Sequence, residues 1–250
     1  MNAPSDIPAD SAKPRDYFAT THWTMVLHAG RSDTTRAQEA LAQLCRIYWY
    51  PLYAYVRRRG YSPEDAEDLT QGFFARLLEM NSLADVRREK GKFRSFLLAV
   101  LQNFLANEWD RSHAAKRGSG QTPISLNDTD AEARYRLEPA DTLTAEKIFE
   151  RRWALALLAQ VLARLRGEHT QAGKSALYDT LKPCLTGARE AAPYAELAAR
   201  LKTTEGAIKV AIHRLRQRYR ELLRDEIAQT VASPEEVDEE IRHLFAALGS

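Results

Sequence analysis

Apolar residues in this chain recur at intervals of three and four from about residue 34 to residue 247, and almost no stretch alternates with a period of two. A helix of 3.6 residues per turn gathers such positions on one face, whereas a half-buried strand needs alternation. The pattern therefore points to an all-α fold, in which helices bury their apolar stripes against other helices. The spacing predicts helices at about 34–59, 63–80, 92–116, 145–167, 174–181, 193–201, 204–227 and 234–247.

One long segment breaks the helical pattern. AAKRGSGQTPISLNDTDAEARYRLEPADT (114–142) contains Gly118, Gly120, Pro123 and Pro139 and little apolar period. It reads as a flexible linker between two small helical domains. Its Gly-Ser-Gly is not a phosphate loop, because the spacing is wrong and no GK[ST] follows. The expected order is a disordered N-terminus at 1–16, a first domain at 17–116, the linker at 117–143, a second domain at 144–226 and an acidic helical extension at 227–250. A chain of 250 residues, 44% apolar, is long enough to bury two cores of this size.

Several classes of function find no support. Cys45 and Cys184 stand alone, so neither a disulfide framework nor a zinc finger is expected, and no metal or cofactor is implied. The histidines at 22, 28, 113, 169, 213 and 243 form no HExxH-like ligand spacing. The carboxylates at 64–68 share one helical turn rather than converging, and no nucleophile–base pair is visible, so an enzyme is not expected. The longest apolar run, FLLAVL (96–101), is far short of the roughly 20 residues a membrane span needs. The first residues lack the apolar core of a signal peptide, and a cytoplasmic protein without membrane insertion is expected.

Net charge is only +2, but it falls in blocks. Residues 62–80 carry five acids against Arg76, and residues 87–117 carry eight Lys or Arg against three acids. Residues 205–224 carry six bases against two acids, and the last 26 residues carry seven acids and one arginine. Alternating blocks of this kind suit partners of different sign.

The most basic helix lies within LKTTEGAIKVAIHRLRQRYREL (201–222). Ile208, Ile212, Leu215, Tyr219 and Leu222 fall on one face and pack inward. Lys209, His213, Arg216 and Arg220 repeat the spacing on an adjacent face, and Thr203 or Thr204 can cap the N-terminus. YAELAARL (194–201) is a short amphipathic helix just upstream. Two helices, a tight turn and a basic second helix make a helix-turn-helix that sets its second helix in the DNA major groove. Thr204, Glu205, Lys209 and His213 are then candidates for base edges. Arg214, Arg216, Arg218 and Arg220 are candidates for phosphates, which carry affinity rather than sequence information. Such turns often hold glycine where this chain has Lys202; if that position is left-handed, lysine costs about 1 kcal/mol.

Three strings extend this reading. GYSPEDAEDLTQGFFARLLE (60–79) resembles the polymerase-binding helix of bacterial sigma factors of the extracytoplasmic-function (ECF) group. FRSFLLAVLQNFLANEWDRSHAAKR (93–117) resembles their promoter-melting helix, and YAELAARLKTTEGAIKVAIHRLRQRYREL (194–222) their promoter-reading motif. The resemblance covers about 30–227. It implies two partners, core RNA polymerase and promoter DNA. Asp65, Glu67, Asp68, Gln71, Phe74 and Leu78 would meet the coiled-coil clamp helices of the polymerase large subunit. Lys90, Lys92, Arg94, Gln102, Asn103, Asn107 and Arg111 would read the melted minus-ten element, with the loop RREKGKF (87–93) holding a flipped base. Thr204, Glu205, Lys209, His213, Arg214, Arg216 and Arg220 would read the minus-thirty-five element. Most of the apolar series Phe93, Phe96, Leu97, Val100, Leu101, Phe104, Leu105 and Trp109 is core.

The chain departs from the family's pattern in three places. Gly72 stands where family members often have glutamate, which lowers the negative charge of the docking face. Thr70 lies beside it, and a phosphate there would add about −1.5 to −2 charge. The expectation drawn is that a Ser/Thr kinase strengthens polymerase binding through Thr70; the plain alternative is an ordinary helical threonine. An anti-sigma factor is a further expected kind of partner. Residues 167–193 are longer than the family minimum, with an extra helix around 174–181. The acidic tail, PEEVDEEIRHLFAALG (234–249), presents Ile241, Leu244, Phe245 and Leu248 as a stripe that packs on the second domain or covers a DNA or polymerase face. The rival to the whole reading is a stand-alone helix-turn-helix regulator, which binds duplex DNA as a dimer without polymerase.

Overall fold

A computed structural model of the chain describes residues 34–79, 92–114, 131–137, 143–185 and 192–249. Among these it forms nine α-helices: α1 (Thr34–Arg58), α2 (Pro63–Glu79), α3 (Phe93–Ala114), α4 (Ala131–Arg136), α5 (Ala145–Gln171), α6 (Ser175–Leu181), α7 (Tyr194–Arg200), α8 (Glu205–Ala228) and α9 (Glu236–Gly249). A 3-10 turn at Lys182–Cys184 follows α6. The only extended pairing among the described residues is one antiparallel bridge between Lys92 and Val231. The all-α expectation therefore holds.

Local chemistry sets the helix ends. Gly60, at φ +95, lets the chain turn out of α1 in a conformation that costs a Cβ-bearing residue. Ser62 then caps α2: its Oγ accepts from the Asp65 N–H at 3.0 Å and donates to Asp65 Oδ2 at 2.8 Å. Thr144 does the same for α5, its Oγ1 accepting from the Lys147 N–H at 3.3 Å.

The described residues share one continuous core, which differs from the expectation of two domains joined by a flexible linker. The reason is α5, 27 residues long and therefore about 40 Å from end to end. Its first half sets Ile148, Phe149 and Trp153 against the aromatic face of α1, with Phe149 and Tyr48 ring centroids 6.4 Å apart. Its second half buries Leu157, Val161 and Leu165 among α6 and α8. α9 packs on both α5 and α8, and α7 packs on α8.

Part of the expected linker is also structured. Helix α4 docks on α1 through Glu132, which accepts from Arg57 Nε at 2.9 Å, from Arg57 Nη2 at 3.2 Å and from the Tyr53 hydroxyl at 2.8 Å. The Arg134 guanidinium lies 3.8 Å from the ring centre of Tyr50, a cation–π contact. A six-residue helix holds its place here because α1 offers it aromatic rings and a fixed cation. The extra helix within 167–193 is α6, held by the Tyr178 hydroxyl donating to the Leu162 carbonyl at 3.1 Å. Residues 1–16, expected to be disordered, lie outside the described residues.

Candidate nucleic-acid interface

The turn between α7 and α8 is built by the last carbonyls of α7. The Thr203 N–H donates to the Ala198 carbonyl at 2.9 Å and the Lys202 N–H to the Ala199 carbonyl at 3.2 Å, the pairing of a Schellman motif. That motif needs a left-handed residue between its two bonds, and Lys202 supplies it at φ +50. Thr204, not Thr203, then caps α8, its Oγ1 accepting from the Ala207 N–H at 3.2 Å. Leu197, Ala198, Ile208, Ile212 and Leu215 are buried beneath this corner.

The opposite face of α8 is in water. Glu205, Gly206, Lys209, Val210, His213, Arg214, Gln217 and Arg220 are exposed. Lys209 Nζ lies 5.9 Å from the ring centre of Tyr194, which braces the lysine above α7. Val210 is half exposed in the middle of this face. Arg216 departs from its expected role: Nε and Nη2 both donate to the Cys184 carbonyl, at 3.2 and 2.8 Å. Arg218 is likewise committed, donating to both oxygens of Glu168 at 2.9 and 2.7 Å and to Glu221 at 2.9 Å. Lys209, Arg214 and Arg220 therefore remain as the outward cations of α8.

Helix α3 divides cleanly. Phe93, Phe96, Leu97, Leu101, Phe104 and Leu105 are buried, and Phe104 meets Phe73 of α2 edge-on with centroids 5.8 Å apart. Gln102, Asn103 and Asn107 point to solvent, and Gln102 Nε2 donates to the Tyr55 hydroxyl at 3.1 Å. Trp109 does not join the core; it is 56% exposed. It lines a recess of about 600 Å³ with Tyr55, Arg59, Tyr61, Gln102, Leu105, Ala106 and Asp110. Asn103 and Asn107 lie on the other side of α3, along a smaller recess of about 250 Å³ walled by Phe73, Leu77 and Phe104 of α2 and α3.

Helix α2 requires corrections. Gln71 and Phe74, expected on a docking face, are buried, because Ala66, Thr70, Phe73, Phe74 and Leu77 form the stripe that faces the core. That stripe has helical spacing and was legible in the sequence. The exposed line is instead Asp65, Asp68, Gly72 and Arg76. Asp65 is the capping partner of Ser62, and Glu67 accepts from Gln71 Nε2 at 3.2 Å. Thr70 is completely buried. A phosphate carrying about −1.5 to −2 charge has no place in that core. The expected modification of Thr70 is therefore not compatible with this fold.

Lys92 and Arg94 are not presented to solvent either. Both are engaged by α9: Lys92 with Glu239 at 2.7 Å, and Arg94 with Glu240 at 2.6 Å. Arg94 is buried against Trp153, 5.3 Å from the ring centre. Lys90 lies outside the described residues, as do the side chains of Leu78 and Arg111.

Among the described residues, no group of three or more His, Cys, Asp or Glu is placed to hold a metal, and no helix is long and apolar enough to cross a membrane. Residues 48–114, which span the C-terminal part of α1 and all of α2 and α3, match the family model for sigma-70 region 2. No curated protein and no solved structure matches the chain.

Proposed function

Taking residues 48–114 as a sigma-70 region 2 domain, and so as support for a sigma factor in transcription initiation, we propose that the whole chain binds core RNA polymerase and directs it to promoters, in the manner of the ECF group. In this reading the exposed line of α2, Asp65, Asp68 and Arg76, meets the clamp helices of the polymerase large subunit. Asn103 and Asn107 on one side of α3 and Gln102 on the other read the minus-ten element as it opens, and the aromatic recess beside Gln102 and Trp109 suits an unstacked base. Helices α7 and α8 act as a helix-turn-helix on the minus-thirty-five element. There Lys209, His213 and Val210 face base edges, the valine suited to a thymine methyl, while Arg214 and Arg220 reach phosphates. The chain supplies binding and positioning, and the polymerase supplies the chemistry.

One observation carries the proposal: the region 2 match is followed, further along the same chain, by a capped basic helix set on a tight left-handed turn. The test is run-off transcription by bacterial core RNA polymerase from a pool of source-genome fragments, with and without the purified chain. Discrete transcripts that need the chain are expected. A chain that ignores core polymerase but binds duplex DNA as a dimer would instead be a stand-alone regulator.

A further inference from the structure

The cations at the start of α3 already have anionic partners inside the chain. Lys92 Nζ lies 2.7 Å from Glu239 Oε1 and 3.4 Å from Glu240 Oε2. Arg94 grips Glu240 with two parallel bonds, at 2.6 and 3.2 Å, and meets Glu150 at 3.3 Å. The backbone is tied to the same place. The Phe93 N–H donates to the Thr230 carbonyl at 2.9 Å, and Lys92 pairs with Val231 just before α9 begins. Two carboxylates thus offer Lys92 and Arg94 the oxygens, and for Arg94 the bidentate geometry, that a phosphate backbone would offer.

The first turns of α9 are rich in acid: Glu236, Asp238, Glu239 and Glu240. Only Glu240 is buried, so only Glu240 is explained by packing alone. Glu239 is 61% exposed, yet it is aimed at Lys92. The segment that joins α9 to α8 is short and irregular, and its Ala232 and Ser233 N–H groups are capped by Glu236, at 2.9 and 3.2 Å. Helix α9 is held besides by Arg224 on Asp238 and by its buried Val237, Leu244 and Ala247, so its displacement uncovers that apolar face.

We propose that α9 is an autoinhibitory strap, in which Glu239 and Glu240 occupy Lys92 and Arg94 in place of nucleic-acid phosphates until DNA displaces them. This rests on the DNA-binding reading of α3 given above. The two pairs act in sequence: the half-exposed Lys92–Glu239 pair opens first, and the buried Arg94–Glu240 pair is the lock.

The test uses the full chain and a fluorescent single-stranded DNA of mixed sequence, alone and with core polymerase. Glu239→Gln keeps the size of an exposed side chain and so keeps the fold. It should bind the DNA about two- to fivefold more tightly, the range of a partly exposed ion pair. Its log–log salt dependence should stay close to that of wild type, because Lys92 meets the same phosphate in both complexes. In a Lys92→Gln background the same change should have no effect. On the wild-type chain, DNA binding should speed amide hydrogen exchange in α9. Equal affinities of wild type and Glu239→Gln, or α9 amides equally protected with DNA bound, would overturn the strap while leaving DNA binding intact. If neither protein binds DNA, alone or with polymerase, the DNA reading has failed and the strap falls with it.

Discussion

Arg94 holds Glu240 across 146 positions of chain, Nε to Oε1 at 2.6 Å and Nη2 to Oε2 at 3.2 Å, with both side chains nearly excluded from water. Removing two ions from water costs several kcal/mol each, and only good geometry recovers it. Glu240→Ala should therefore destabilise the chain by about 3–5 kcal/mol, because it leaves a buried guanidinium with Glu150 alone as its carboxylate. Arg94→Met with Glu240→Leu, which removes both charges, should cost far less. Urea denaturation of the single and double variants measures the difference, and equal losses would show that charge pairing is not the source of the stability.

Lys202 carries the left-handed turn before α8 at φ +50, where a Cβ is unfavourable by about 1 kcal/mol. Lys202→Gly should raise stability by up to about that amount, offset in part by glycine's greater freedom in the unfolded chain. Thr204→Ala, which removes the cap on Ala207, should lower it by about 1 kcal/mol. Shifts in the denaturant midpoint at constant slope report both, and a destabilised Lys202→Gly would mean that the lysine side chain contributes contacts that outweigh its strain.

Trp109 stands largely in solvent beside a polar and aromatic recess. If it stacks a base, Trp109→Ala should weaken single-stranded DNA binding by about 1–3 kcal/mol, or roughly 5- to 150-fold. Binding to core polymerase should be unaffected, since the exposed line of α2 is untouched. Fluorescence anisotropy with each partner separates the two outcomes, and an unchanged DNA affinity removes Trp109 from the interface.

Arg57 and the Tyr53 hydroxyl hold the Glu132 carboxyl below its ordinary value of 4.5, and Arg218 does the same for Glu168. A carboxyl whose folded pKa is depressed contributes stability that is complete above its unfolded pKa and is lost as pH falls through the folded one. Stability should thus change little from about pH 7 to pH 5 through these groups and decline below about 4.5. Glu132→Gln should be less stable at neutral pH and show a shallower decline in acid. Thermal melts across this range check it; parallel pH profiles for variant and wild type would show that α4 is not held by this charge.

The helices were legible because burial on one side leaves a 3.6-residue signature, and the corner at Lys202 and Thr204 was legible because turns and caps are local chemistry. The burial of Gln71 and Phe74 was also legible, in the Ala66–Thr70–Phe73–Leu77 spacing, but an acidic neighbourhood drew the reading outward. The commitment of Arg216 was not, because its partner is a carbonyl exposed by the irregular chain at Cys184. Nor was the pairing of Lys92 and Arg94 with α9, since an acidic helix carries no mark of which distant cation it meets. The single core was hidden for the same reason: α5 is apolar on several sides, and nothing local says that one half faces α1 while the other faces α8.

The bridge from Lys92 to Val231 also imposes an order of events on synthesis. At about 5–20 residues per second, Glu240 leaves the ribosome roughly 7–30 s after Arg94. Throughout that interval the start of α3 has its cations but lacks Glu240, although Glu150, 56 positions after Arg94, is made sooner. The nascent chain is therefore more basic and less sealed here before α9 is made. A chaperone or a stretch of RNA that finds it then meets a surface the finished protein no longer shows.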